Sequence, residues 1–454
     1  MENFSDIELQ ARSGLELEKK WTSKSNRSNE FQDEQLPSSA LPLPPVDRGI
    51  RAWLFLVGAF LIESLIWGLP FSYGVFQDFY ETHEPFESNP SGIAAIGTTA
   101  LGVMYLGSPV CFALMEKWLF WRKWSLHVGL SLLLTALVAS AFATKVWHLI
   151  FTQGALYGIG GALSYNPAVI FCDEWFVCKK GFAFGVMWAG TGFAGVTIPF
   201  LMSWMLKRFG LKVALLSWAA IVALLLTPLI FFVRPRIPRN HNYRPCRLSL
   251  RFCYNRTFIF LQLGNILEGL GHFMPTIYLP AYARNLGVRN EAITTSISLV
   301  NAASIFGSTF LGFLIDRFHV TTVILISTIG ATLSIFLLWG LSSSAGLLFV
   351  FSIAYGFFAG GNAATYAGIL KEVSSDKPES GGGTGMVIGM LSAGRGIGSV
   401  ACGPLSEILI RGRPWAGKAG LGYGTEYGPL IIFTGTSALL GGIGFAARKL
   451  GWMK

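Results

Sequence analysis

The chain has 454 residues, of which 52% are hydrophobic and only 13% charged, with a formal net charge of +10 and a mean hydropathy of +0.51. That is too little charge to cover a soluble protein of this length, so much of the apolar surface has to face lipid. The positive excess lies in segments that flank apolar runs, which points to membrane orientation rather than nucleic-acid binding. Six scattered cysteines (Cys111, Cys172, Cys178, Cys246, Cys253 and Cys402) lack metal-ligand spacing, so neither a metal site nor a disulfide framework is expected.

Residues 1–50 are polar, rich in Ser and Asn, and close on a Pro-rich LPLPP ending at Pro45. No signal peptide is read there; the segment is expected to be a disordered cytosolic tail. Apolar runs then place spans at 52–77, 92–115, 124–144, 146–171, 182–206, 211–233, 257–281, 292–315, 320–341, 346–370, 384–410 and 428–447. Each is about as long as the ~20 residues that cross a hydrocarbon core. An even count puts both termini on one side, and the Lys/Arg bias makes that side the cytosol. The strongest contribution is the 234–256 segment with seven arginines, read as a linker or an anionic-lipid contact. Asn-x-Ser/Thr sequons at Asn3, Asn26 and Asn255 all fall on that side and are read as chance matches.

The expected fold is an all-α membrane protein with twelve transmembrane helices in two six-helix pseudo-symmetric halves. Its parts are the tail (1–50), an N-terminal half (51–233), a basic cytosolic linker (234–256), a C-terminal half (257–448) and a cytosolic tail (449–454). An internal duplication supports the halves. Glu63-x3-Trp67-x2-Pro70-x2-Tyr73 is echoed by Glu268-x3-His272-x2-Pro275-x2-Tyr278. Gly107-Ser108 followed by Glu116-Lys117 is echoed by Gly307-Ser308 followed by Asp316-Arg317, and Tyr157-Gly158 by Tyr355-Gly356. Ala189-Gly190-Thr191-Gly192 is echoed by Ala393-Gly394-Arg395-Gly396, in the same order and at a nearly constant offset. Parallel repeats of this kind are a transporter signature. At the ends of spans 2 and 8, the carboxylates of Glu116 and Asp316 could bond the N-terminal amides of neighbouring helices, with Lys117 and Arg317 at the headgroups. Such pairs would serve as a conformational latch or as simple interface anchors.

Twelve spans, the duplication and the Gly-x3-Asp-Arg ending at Arg317 resemble the major facilitator superfamily. Within it, Trp175-Phe176-Val177-Cys178-Lys179-Lys180, Ala183-x-Gly185 and Ala189-Gly190 resemble the entry to span 5 of the monocarboxylate porter family. Trp67-Gly68-Leu69-Pro70-x2-Tyr73-Gly74-Val75-Phe76 is similar to its fungal members, and Asp47-Arg48-Gly49 partly matches the family's entry to span 1. The resemblance covers most of 47–447 and implies the fold and a transport activity. It does not extend to the lysine of span 1 and the Asp and Arg of span 8 that serve coupling in animal members. Phe71, Asn301 and Ile305 stand there.

Charged groups inside a span need a partner or a cavity, since one at a helix centre costs ~2.5–3.5 kcal/mol on insertion scales. Glu63, Glu268 and Arg395 fall near the middle of spans 1, 7 and 11. Arg395, between Gly394 and Gly396, reads as a docking cation for an anionic substrate or as half of an ion pair with Glu268. Asn265, Glu268 and His272 share one face of span 7, so Glu268 and His272 could pass a proton, or the histidine could simply be hydrogen-bonded in place. Glu63 reads as a third proton-coupling group or as a brace of its own helix. Asn166, Asn362, Tyr366 and Trp67 are further candidate substrate-binding residues, with helix packing or lipid contact as the alternative.

No phosphate-loop lysine is present: Gly383-x-Gly385-x3-Gly389 precedes a membrane span and follows no strand, and no cofactor is expected. The leading expectation is a secondary active transporter of a small, monocarboxylate-like organic anion, proton-coupled and working by alternating access. Its partners would be the solute, protons and the bilayer, and it would be a monomer in the plasma membrane. The alternatives are an efflux carrier for a fungal secondary metabolite and a transport-incompetent nutrient sensor. An enzyme is not expected.

Overall fold

The computed structural model describes residues 44–87, 92–237, 250–376, 383–412, 415 and 417–453. Most of the expected N-terminal tail, linker residues 238–249, Cys246, and the sequons at Asn3 and Asn26 lie outside the described residues.

Every regular element among the described residues is a helix. Helix α1 (Ile50–Phe71) passes through Ser72 into α2 (Tyr73–Thr82), breaking just after Pro70. Next come α3 (Ile93–Lys117), α4 (Leu119–Ser140) and α5 (Val146–Trp175). The long α6 (Lys180–Phe232) is followed by α7 (Arg256–His272), which runs on into α8 (Met274–Asn285). The remainder are α9 (Asn290–Ile315), α10 (Val320–Trp339), α11 (Ala345–Gly360), α12 (Thr365–Asp376), α13 (Thr384–Ile410), α14 (Gly428–Leu440) and α15 (Ile443–Lys449). Asn255, read as a chance sequon, caps α7: its side chain accepts the Thr257 N–H at 3.0 Å.

Ten helical stretches among the described residues are long and apolar enough to cross a membrane. The expectation of twelve spans differs from this at two places. Spans 5 and 6 form the single 53-residue α6, turned at Gly210, whose φ of 76° and ψ of 176° suit glycine. Span 7 is the 256–285 stretch, made less apolar by Gln262, Asn265, Glu268 and His272. Large apolar side chains such as Leu224, Phe306 and Ile408 stand exposed on the outer faces, as a lipid-facing bundle requires.

Elements before residue 233 meet those after 256 along two seams, α6 against α9 and α3 against α13. Glycine makes both close. A Cβ on Gly312 would lie 3.1 Å from the Gly185 Cα, and one on Gly389 would lie 3.0 Å from the Pro109 Cα. The glycines that superficially suggested a phosphate loop are therefore packing residues, with Gly385 and Gly389 seated on Phe112 and Pro109 of α3.

Candidate functional site

The 3.6-residue period puts Asn265, Glu268 and His272 on one face of α7, and that face is turned inward. Glu268 and Arg395 are 6% and 5% exposed. The Arg395 Nη1 donates to Glu268 Oε2 at 3.3 Å, and the other carboxylate oxygen lies 2.8 Å from His272 Nδ1. The Asn362 side chain lies beside the same carboxylate. A buried charge pair offsets its desolvation only when the remaining lone pairs and protons are also satisfied, and here they largely are.

Arg395 reaches across the α3–α13 seam as well. The side chains of Tyr105 and Tyr366 lie near it, and its guanidinium lies 5.7 Å from the Phe273 ring centroid. Tyr366 donates to Asn265 Oδ1 at 3.0 Å, while Asn265 Nδ2 donates to the Leu391 carbonyl at 2.8 Å. Aromatic rings extend this wall. Trp188 meets Tyr366 edge-on at 5.7 Å, and Trp67 packs on Tyr105 at 4.7 Å and on Tyr165 at 5.4 Å. The structure thus brings Arg395, Glu268, His272, Asn362 and Tyr366 together, with Trp67 alongside.

Two expected site residues lie elsewhere. Asn166, fully buried, pairs with Ser108 at 3.4 Å and joins α5 to α3. Glu63 is 2% exposed and is not bonded to Glu268, His272 or Arg395 in any described contact. Its Oε2 and the indole N–H of Trp67 have no hydrogen-bond partner among the described residues.

At one end of the bundle the expected latch carboxylates meet helix N-termini across the seams. Asp316 accepts the N–H groups of Gly181 at 2.7 Å and Phe182 at 2.9 Å, at the start of α6. Glu116 accepts the Met386 N–H at 3.3 Å, at the start of α13. Each placement sets a carboxylate on the positive end of a helix. Arg317 and Lys117 lie over the rings of Phe313 and Trp118, at 4.3 and 4.6 Å. Around them Lys180 pairs with Asp173, Arg122 pairs with Glu174, and Thr384 donates to Asp173 at 2.8 Å. Burial holds the Asp316 carboxyl above its ordinary value, against the two amide bonds that pull it down.

Asp47 is the residue at this end that sequence reasoning left without a role. Its carboxylate accepts three backbone N–H groups, from Val177 at 3.1 Å, Cys178 at 2.9 Å and Lys179 at 3.0 Å. Partial burial would raise this carboxyl, but the bonds from Cys178, Lys179 and Val177 outweigh it and hold it below its ordinary value. The only sequence signal was its place in the motif before span 1. Tyr105, Tyr165 and Phe273 were also missed, because an aromatic residue in an apolar span has no pattern that separates a site wall from lipid contact.

Comparison with known proteins supplies the family to which this geometry belongs. The family model described as Major Facilitator Superfamily matches residues 37–258 and 261–448. The chain belongs to the major facilitator superfamily. As a member, it is a multi-pass transporter rather than an enzyme. This transporter is 27% identical to the MFS-type transporter pynF of Aspergillus niger, over 80% of this chain and 83% of that protein. It is 25% identical to the aspyridones efflux protein apdF of Emericella nidulans, over 90% of this chain and 80% of that one. To the agnestins efflux protein AgnL12 of Paecilomyces divaricatus it is 26% identical, over 88% of each. The solved proton:xylose symporter XylE matches with a TM-score of 0.63 at 13% identity, covering 88% of this chain and 94% of that one. At that identity the likeness speaks for the fold alone.

Proposed function

We propose that this transporter is a proton-coupled efflux carrier for a small secondary metabolite bearing an anionic group. The observation that carries the reading is the Arg395–Glu268–His272 chain inside the bundle. Arg395 would dock the anion; Glu268, released from Arg395 by the arriving substrate, would then take up or give up a proton with His272. Glu63, which stands outside this chain of bonds, would be a further proton-coupling carboxyl, and Asn362, Tyr366 and Trp67 would shape the walls. Efflux is favoured over monocarboxylate uptake because relatives are named as efflux proteins for aspyridones and agnestins. The monocarboxylate porter resemblance then describes descent.

In this reading α6 supplies two spans and the 256–285 stretch a twelfth, so two six-helix halves rock about Arg395. The Asp316 and Glu116 bonds would form the latch on the cytosolic side, with Arg317 and Lys117 at the headgroups. Both termini would lie in the cytosol and the carrier would act as a monomer in the plasma membrane.

The test is export from cells that express the chain, with solutes compared inside and outside. Arg395→Gln should abolish export of the anionic solute when compared at matched surface level, and Glu268→Gln or His272→Ala should remove its dependence on external pH. Normal, pH-dependent export by all three variants sinks the proposal.

A further inference from the structure

Glu63 and Trp67 stand one turn apart on α1, and the Trp67 ring packs against Tyr105 and Tyr165. Each is 2% exposed, yet Glu63 Oε2 and Trp67 Nε1 are left without a partner among the described residues. Buried polar atoms are otherwise almost always bonded, so two orphans on one face need an explanation. One is an acceptor and the other a donor. A single hydroxyl group, with one proton and two lone pairs, satisfies both.

Tyr105 relates this pair to Arg395. Its ring packs on Trp67 at 4.7 Å and its side chain lies near the guanidinium, so Tyr105 links the two places. Trp67, Tyr165 and Trp188 offer flat faces between them.

We propose that Glu63 and Trp67 form a second recognition point, for a phenolic or enolic hydroxyl carried by a planar conjugated acid. The hydroxyl bonds the Glu63 carboxyl and accepts from the Trp67 N–H. The acid group reaches Arg395, and the flat body lies along the aromatic walls. This inference rests on the docking role of Arg395 proposed above and names the class of solute that fits it: a planar hydroxylated acid rather than a small aliphatic monocarboxylate.

The test uses the full chain in liposomes with two fluorescent probes, 6-hydroxy-2-naphthoate and 2-naphthoate. Wild type should move the hydroxylated probe with a KM roughly tenfold lower, the worth of about two ordinary hydrogen bonds. Trp67→Phe keeps the ring and removes the N–H; Glu63→Met keeps the length and removes the acceptor. Each should erase the preference, bringing the ratio of the two KM values close to one whatever happens to transport of 2-naphthoate. If wild type moves the two probes equally, moves neither, or keeps its preference in both variants, the recognition point is wrong. Arg395→Gln in the same assay reads the docking role separately. Loss of both probes there, with no hydroxyl preference in wild type, overturns this inference alone.

Discussion

The Asp316 carboxylate, at the end of α9, accepts the Gly181 N–H at 2.7 Å at the first turn of α6. The bond with Phe182 beside it makes this a helix cap supplied from across a seam rather than from the helix's own chain. Asp316→Ala leaves two N-terminal amides of α6 without their acceptor, a loss of about 0.5–2 kcal/mol by analogy with ordinary caps. Spin labels on α6 and α9 should report a shift toward longer distances at this end, and Asp316→Asn should restore part of the short population. Unchanged distance distributions in the alanine variant would show that the seam closes without this cap.

Removing one member of the buried ion pair should cost more than removing both. Arg395→Gln leaves the buried Glu268 carboxylate with His272 but without its guanidinium, and breaking a buried ion pair typically destabilises by about 3–5 kcal/mol. Adding Glu268→Gln removes the stranded charge. The double variant should melt close to wild type in detergent while the single variant melts well below it. Equal melting of all three proteins would show that the pair is not charged in the folded state.

Asp47 makes stability depend on acid. Its carboxyl is held below the ordinary value in the folded protein, so its contribution is present at neutral pH. That contribution is lost as pH falls from the unfolded value, ~3.9, through the lowered folded one. At pH 7 Asp47→Asn should lower stability by about 1 kcal/mol, the worth of partly exposed charge-assisted bonds. The melting temperatures of variant and wild type should converge near the acid limit. A gap that stays constant with pH would separate the effect from the carboxylate's charge.

Gly210 turns α6 with a φ of 76° and a ψ of 176°. No neighbour would touch a Cβ there, so the cost of substitution is purely conformational. Gly210→Ala should destabilise by about 1–3 kcal/mol and lower expression, with the transport KM unchanged. A variant as stable as wild type would mean that the chain turns equally well in another backbone conformation.

Most of the helix positions were legible from apolar runs, because a chain that must satisfy its backbone inside lipid has few choices besides helices. The two departures have local causes. Gly210 turns one helical segment straight into the next with no loop between them, and the polar face of α7 lowers the hydropathy that marks a span. Within the site, Arg395, Glu268 and His272 were legible because a charge in an apolar segment is conspicuous against its background.

The sequence by itself determined the membrane class, the internal repeat and the intramembrane charges, all of which are set by local composition and spacing. Only the tertiary structure decided which charges meet. It joined Glu268 to Arg395 and His272, left Glu63 and Trp67 with atoms unpaired among the described residues, and drew Asn166 away to Ser108. It also showed Asp47 holding the 177–179 backbone. The physical reason is that these contacts join residues far apart in the chain, through helix rotations and glycine-spaced seams that no local pattern records.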